Sequence, residues 1–193
     1  MKKLLVTGFD PFNGNTANPS WLAAQALPQR VGDYEVHKLQ LPTVYGQAAQ
    51  MVMDFAATLQ PDVILCLGLA GGRAAVTPER VGINIRSASI PDNAGQQFTD
   101  APIIPGGPTA YFSSLPVTAM ASAIREAGVP GAVSNTAARM CATMCCIPFA
   151  IISPEQKRRW ALSMCPTFPA RENRICRWLI RLRPFAPPLN AYE

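Results

Sequence analysis

Two short apolar runs, Leu4–Phe9 and Val63–Leu67, constrain the fold most. Each has the length of a strand and is too short for a core helix, and each runs into glycine. A strand with no polar face must be covered on both sides, which is the situation of a central strand in a parallel sheet. The segments between them have the period of helices. Ser20 can cap a helix through about Leu27, with Trp21, Leu22, Ala24 and Leu27 apolar and Pro28 ending it. Gly46–Leu59 places Ala48, Met51, Val52, Phe55 and Ala56 at helical spacing. Tyr34–Leu41 and Val81–Ile85 alternate like strands, with Val36, Lys38 and Gln40 on one side of the first. Val117–Ala127 reads as a helix closed by Gly128, and Gly131–Ser134 as the start of a further strand. Ile90–Pro108, rich in Pro, Gly, Asn and Asp, reads as a long loop, and long ordered loops are usually functional. Strand and helix alternate, which predicts an α/β protein: a three-layer α/β/α sandwich around a mostly parallel sheet. Sites in such sheets lie in the loops beyond the carboxyl ends of strands, here after Val6, Leu67 and Val133.

The text changes character near residue 138. The 193-residue chain has 17 Lys/Arg and 12 Asp/Glu, a net charge of +5. Through Ala138 there are 8 basic and 9 acidic side chains; from Arg139 on there are 9 and 3. Cys66 lies in the first part, while Cys141, Cys145, Cys146, Cys165 and Cys176 lie in the second. The organisation expected is therefore an α/β domain over 1–137 that is incomplete, and a basic Cys/Pro/Arg-rich tail over 138–193 that disrupts the last third of the fold. Within the tail, Glu155–Leu162 could form a helix, as could the basic stretch Arg174–Arg183. No run approaches the ~18 apolar residues of a membrane span. The opening Met-Lys-Lys-Leu-Leu-Val is too short for the apolar core of a signal peptide, so a cytoplasmic location is expected.

Several short motifs follow the strands. Gly8-Phe9-Asp10-Pro11-Phe12 puts two aromatics three apart on a Gly/Pro turn. They could sandwich a small flat ring, or both could pack in the core. Gly68-Leu69-Ala70-Gly71-Gly72-Arg73 follows the central run; its glycines allow close approach of a ligand, or simply make a turn. It lacks the Lys and Ser/Thr of a phosphate loop. Glu79 in Glu79-Arg80-Val81-Gly82-Ile83-Asn84 stands at a strand entrance, where a lone carboxylate is usually solvated. Ile90-Pro91-Asp92-Asn93 has the residues of a plain turn.

In this order these segments, with Asn18-Pro19-Ser20-Trp21, Leu41-Pro42, Ala110-Tyr111-Phe112 and Ser134-Asn135-Thr136-Ala137, resemble the pyroglutamyl-peptidase I family. The resemblance covers the first 137 residues. It implies a cytosolic cysteine peptidase that removes N-terminal pyroglutamate from peptides, without metal or cofactor and usually as a homo-oligomer. It implies no nucleic-acid or membrane partner. It gives Glu79 the acidic role in a Cys–His–acid triad, and makes Phe9 and Phe12 the rings that hold the pyroglutamyl group. Leu69 stands where many relatives have Gln, and Ser89 where they usually have Arg.

The nucleophile and base depart from the family pattern. The family cysteine falls at Ala142, and Cys141 is one residue early, a step that turns a side chain by about 100° in a helix. The family histidine has no counterpart; the one histidine, His37, lies on the second expected strand. Codons read from the third base of each old one recover both segments. Residues 137–146 then permit Gly-Thr-Tyr-Val-Cys-Asn-His-Val-Leu, and 159–170 permit Val-Gly-Ala-Phe-His-Val-Pro-Tyr-Leu-Pro-Gly. A shifted reading frame after Ala137 therefore accounts for the tail. It also accounts for the tail's arginines without a nucleic-acid or lipid partner. Two functional readings follow: a peptidase by descent with doubtful activity, and a module that binds pyroglutamyl peptides without cleaving them.

Overall fold

The computed structural model describes residues 1–136 and, as backbone, a strand over 159–166. Among the described residues there are ten strands and three helices: β1 (Lys2–Phe9), α1 (Pro19–Gln25), β2 (Arg30–Val31), β3 (Tyr34–Leu41), α2 (Gln47–Leu59), β4 (Val63–Ala70), β5 (Thr77–Glu79), β6 (Val81–Ile83), β7 (Ile85–Arg86), β8 (Ala101–Pro102), β9 (Ala110–Phe112), α3 (Val117–Glu126) and β10 (Arg159–Pro166). The main sheet has the order β2-β3-β1-β4-β10-β5. Its four central strands are parallel, and the short edge strands β2 and β5 run antiparallel to their neighbours.

The two expected central strands hold the middle of this sheet. Leu5, Val6, Cys66 and Leu67 are fully buried, because helices cover both faces. On one face Leu5, Phe9, Leu41, Ile64 and Cys66 pack against Ala48, Val52 and Ala56 of α2. On the other, Leu4, Val6, Leu65 and Leu67 meet Ala23 and Ala24 of α1 and Met120 and Ile124 of α3. This is the three-layer α/β/α architecture expected. Gly8 lets α1 press onto β1: a Cβ there would lie 2.6 Å from the Ser20 carbonyl oxygen.

Several local expectations are corrected. Asn18, not Ser20, caps α1; its Oδ1 accepts from the Ser20 amide, and Ser20 Oγ accepts instead from Phe9 N–H at 3.0 Å. The Val81–Ile85 strand is broken at Asn84, whose side chain bridges to both Ile104 N–H and Ile104 C=O across the long loop. Residues 131–134 form single parallel bridges from Gly131 to Val76 and from Ser134 to Glu79, not a full strand. The helix expected over Glu155–Leu162 does not hold in its described part. From Arg159 the chain is β10, filling the slot between β4 and β5. An eight-residue apolar-rich stretch fits either period, and the vacant ladder positions on both neighbours decide for the strand. Arg174–Arg183 lies outside the described residues. No described helix is long and apolar enough to cross a membrane.

Candidate active site

The site builds from two loop systems at the carboxyl ends of β1 and β4. At the β1 end, Asp10 follows Phe9 directly. Its Oδ1 accepts from Thr43 N–H and Thr43 Oγ1, both at 2.7 Å, and from Asn93 Nδ2 at 3.3 Å. Asn93 also donates to the Pro11 carbonyl at 2.9 Å. Asp92 accepts from Tyr45 N–H at 2.8 Å, Ala94 N–H at 2.9 Å and Gln96 N–H at 2.8 Å. The Ile-Pro-Asp-Asn turn thus clamps the loop carrying Phe12 to the start of α2. Phe98 meets Tyr45 edge-on at 5.1 Å and carries the Arg86 guanidinium on its face at 3.9 Å. Of the two predicted ring-holding aromatics, Phe9 is 3% exposed and part of the core, while Phe12 is half-buried on the loop.

At the β4 end, the chain turns at Gly71-Gly72. Gly72 has φ +80°, a conformation that a side chain would strain, and Arg73 N–H closes the turn onto Ala70 C=O at 3.3 Å. The turn sends Arg73 back toward β5. Its Nη1 donates to Thr77 Oγ1 and to Glu79 Oε1, both at 2.8 Å. Glu79 is not the solvated carboxylate that its type suggests: it is 2% exposed. Burial pushes its carboxyl above the usual carboxylate range, while the Ser134 hydroxyl and Arg73 pull it back. Of the two groups that pull it back, the Ser134 side chain comes first and Arg73 second; the Ser134 hydroxyl also donates to Thr136 C=O at 3.0 Å. Glu79 Oε2 has no hydrogen-bond partner among the described residues.

The backbone places Glu79 at a junction. On one side it pairs with Leu162 of β10, and on the other it bridges to Ser134. Ser134 N–H donates to Pro78 C=O at 3.0 Å and Arg80 N–H to Ser134 C=O at 2.7 Å. Ser134–Thr136 therefore leave the sheet beside the buried carboxylate. Cys141 lies outside the described residues. Cys66 is fully buried within β4, which keeps it from acting as a nucleophile. His37 sits on β3, four strands from β5, or roughly 19 Å at the usual strand spacing, and does not reach Glu79. Phe9 and Glu79 lie three strands apart, about 14 Å, so aromatics and acid flank the site from opposite sides.

The residue that reading the sequence missed is Arg73. Its signal was present as the Gly-Gly-Arg turn, but a turn does not announce which way its next side chain points.

A buried acid on β5 and two aromatics at and just after the end of β1, carried by one covered sheet, define the class: an α/β/α protein with a hydrolase-like site. Comparison with known proteins narrows it. The sequence profile described as pyroglutamyl peptidase matches residues 2–155, and the chain belongs to that family. It is 53% identical over 135 residues to the pyrrolidone-carboxylate peptidase of Levilactobacillus brevis, covering 70% of this chain and 66% of that one. It is 52% identical over 138 residues to that of Streptomyces coelicolor, covering 71% and 64%. The matched part thus spans just under two thirds of these relatives' length. A crystal structure of pyroglutamyl peptidase I from Bacillus amyloliquefaciens superposes with a TM-score of 0.86 at 34% identity, covering 94% of each chain. Pyrrolidone carboxyl peptidase from Thermococcus litoralis gives 0.82 at 31% identity, over 88% and 78%.

Proposed function

We propose that this chain is a cysteine peptidase of the pyroglutamyl type, built to release pyroglutamate from the N-terminus of peptides, whose own turnover is close to background. In that chemistry a thiolate adds to the pyroglutamyl carbonyl. An imidazole protonates the departing amine, and water then hydrolyses the acyl-thioester. Glu79 is the acid that orients and stabilises the imidazolium. Phe9 and Phe12 form the ring-holding side, Phe9 from beneath and Phe12 from the loop. Cys141 is the available thiol, one position out of register and with no histidine assigned to it. The unpartnered Oε2 of the buried Glu79, next to the segment leading toward Cys141, carries this reading. It is the arrangement of a carboxylate kept for a proton donor.

The two-part organisation at residue 137 belongs to the same proposal. Alignments of 135 and 138 residues with the two curated relatives support it, being as long as the part before the tail. The decisive assay is release of pyroglutamate from a chromogenic amide, with calorimetry of a pyroglutamyl amide beside it. Background turnover with measurable binding is expected. Turnover abolished by Cys141→Ser would make Cys141 a working nucleophile. Neither turnover nor binding would remove the functional reading. The gene's neighbouring frame after codon 137 should encode the Cys-Asn-His and Ala-Phe-His-Val-Pro segments; their absence there would refute the shifted frame.

A further inference from the structure

We propose that Arg73 is the positioning residue of this site: its guanidinium engages Oε1 of Glu79, offsets part of the cost of burying its charge, and leaves Oε2 free for a proton donor. The inference rests on the functional reading above and deepens it.

A carboxyl group that is 2% exposed loses almost all the water that would stabilise its charge. Left alone it takes up a proton, and a neutral acid offers a donor where an imidazolium needs an acceptor. A cation must therefore stand close by if Glu79 is to serve. Arg73 meets that need in a specific way. A single nitrogen, Nη1, makes the contact, and the same nitrogen is tied to Thr77 Oγ1 at 2.8 Å. Thr77 lies two residues before Glu79 on β5, so one strand fixes both the cation and the anion. A two-pronged pairing would use both carboxylate oxygens; this one uses only Oε1 and leaves Oε2 open. The Arg73 side chain is one third exposed, so it reaches solvent while it serves the buried acid. The Gly71-Gly72 turn makes the geometry possible by returning the chain from β4 to β5.

Among the described residues, Arg73 is the charge acting on Glu79. Arg125 of α3, which packs against β5, is engaged by Gly131 C=O and Ser122 Oγ. Arg80 follows Glu79 on the chain, and its amide donates to Ser134 C=O.

A merely structural role, stapling the turn to β5, predicts a loss of stability and nothing more. The positioning role predicts a change in the titration of Glu79. The experiment is carbon-13 NMR of side-chain carboxyl groups in the full chain, with the Glu79 signal assigned by its loss in Glu79→Gln. In Arg73→Gln the Glu79 midpoint should move upward by about one pH unit or more. Arg73→Lys, which keeps the charge, should recover at least half of that change. In the unmodified chain, high salt should also raise the midpoint, because the guanidinium is exposed enough to be screened. The salt series keeps the test decisive if Arg73→Gln fails to fold. A midpoint unmoved in Arg73→Gln, or unmoved by salt where that variant does not fold, overturns the proposal. The midpoint reports on Arg73 even if no pyroglutamyl ligand binds. Binding or turnover reports on the function even if the midpoint stays still.

Discussion

The β1 end of the site is closed and the β5 end is held open. At the β1 end the carboxylates are engaged, Asp92 through both oxygens and Asp10 through Oδ1. Asp92 accepts three backbone N–H groups, and Asp10 Oδ1 gathers donors from Thr43 and Asn93. Each is spent on fixing loops. At the β5 end, Glu79 is more deeply buried than either, yet one of its oxygens has no partner among the described residues. An unfilled buried acceptor costs stability, and Glu79 shares this state with Thr7 Oγ1 and Tyr111 OH. The contrast separates carboxylates whose oxygens fix loops from one with an oxygen left unpartnered among the described residues.

The largest effect should come from breaking the closed end at its core. Phe9 packs with Leu5, Leu41, Tyr45 and Tyr111, so Phe9→Ala should cost about 3–5 kcal/mol in urea denaturation. A cost below ~1 kcal/mol would show that Phe9 faces the ligand and not the core. Next, Asp92→Ala strands the amides of Tyr45, Ala94 and Gln96. It should cost roughly 2–3 kcal/mol, with Asp92→Asn costing less because an amide oxygen can still accept.

Glu79 should behave in the opposite way. Its folded-state carboxyl holds its proton to higher pH than in the unfolded chain. The native state therefore binds more protons, and stability falls as pH rises from about 4 through the raised value, then levels off. Glu79→Gln should flatten that slope. Denaturation midpoints from about pH 4 to 7 measure it, and an unchanged slope would place the proton elsewhere. The smallest stability effect belongs to Phe12→Ala, under about 1 kcal/mol for a half-buried loop residue. Its calorimetric affinity for a pyroglutamyl amide should nevertheless fall. Equal affinity would remove Phe12 from the pocket.

Much of this architecture was legible from residue pattern. Val63–Leu67 had to be a central strand, because nothing in it tolerates water, and Gly46–Leu59 had to be a helix with one apolar stripe. The loops after these strands marked the site's location. Asn84 was not legible as a strand break, since its bridging to Ile104 depends on a residue twenty positions away. Nor was β10: the stretch around Trp160–Cys165 fits two periods, and only the slot between β4 and β5 selects one.

The sequence by itself determined the sheet's central strands, its helical cover and the family, because apolar periodicity and ordered motifs are local. Only the tertiary structure decided the surroundings of each polar residue. Asp92 and Glu79 are both single acids in short motifs. Burial, the number of donors each meets, and the turn that brings Arg73 across to Glu79 are set by strands far apart in the chain. No local spacing encodes the unpartnered oxygen that distinguishes the second from the first.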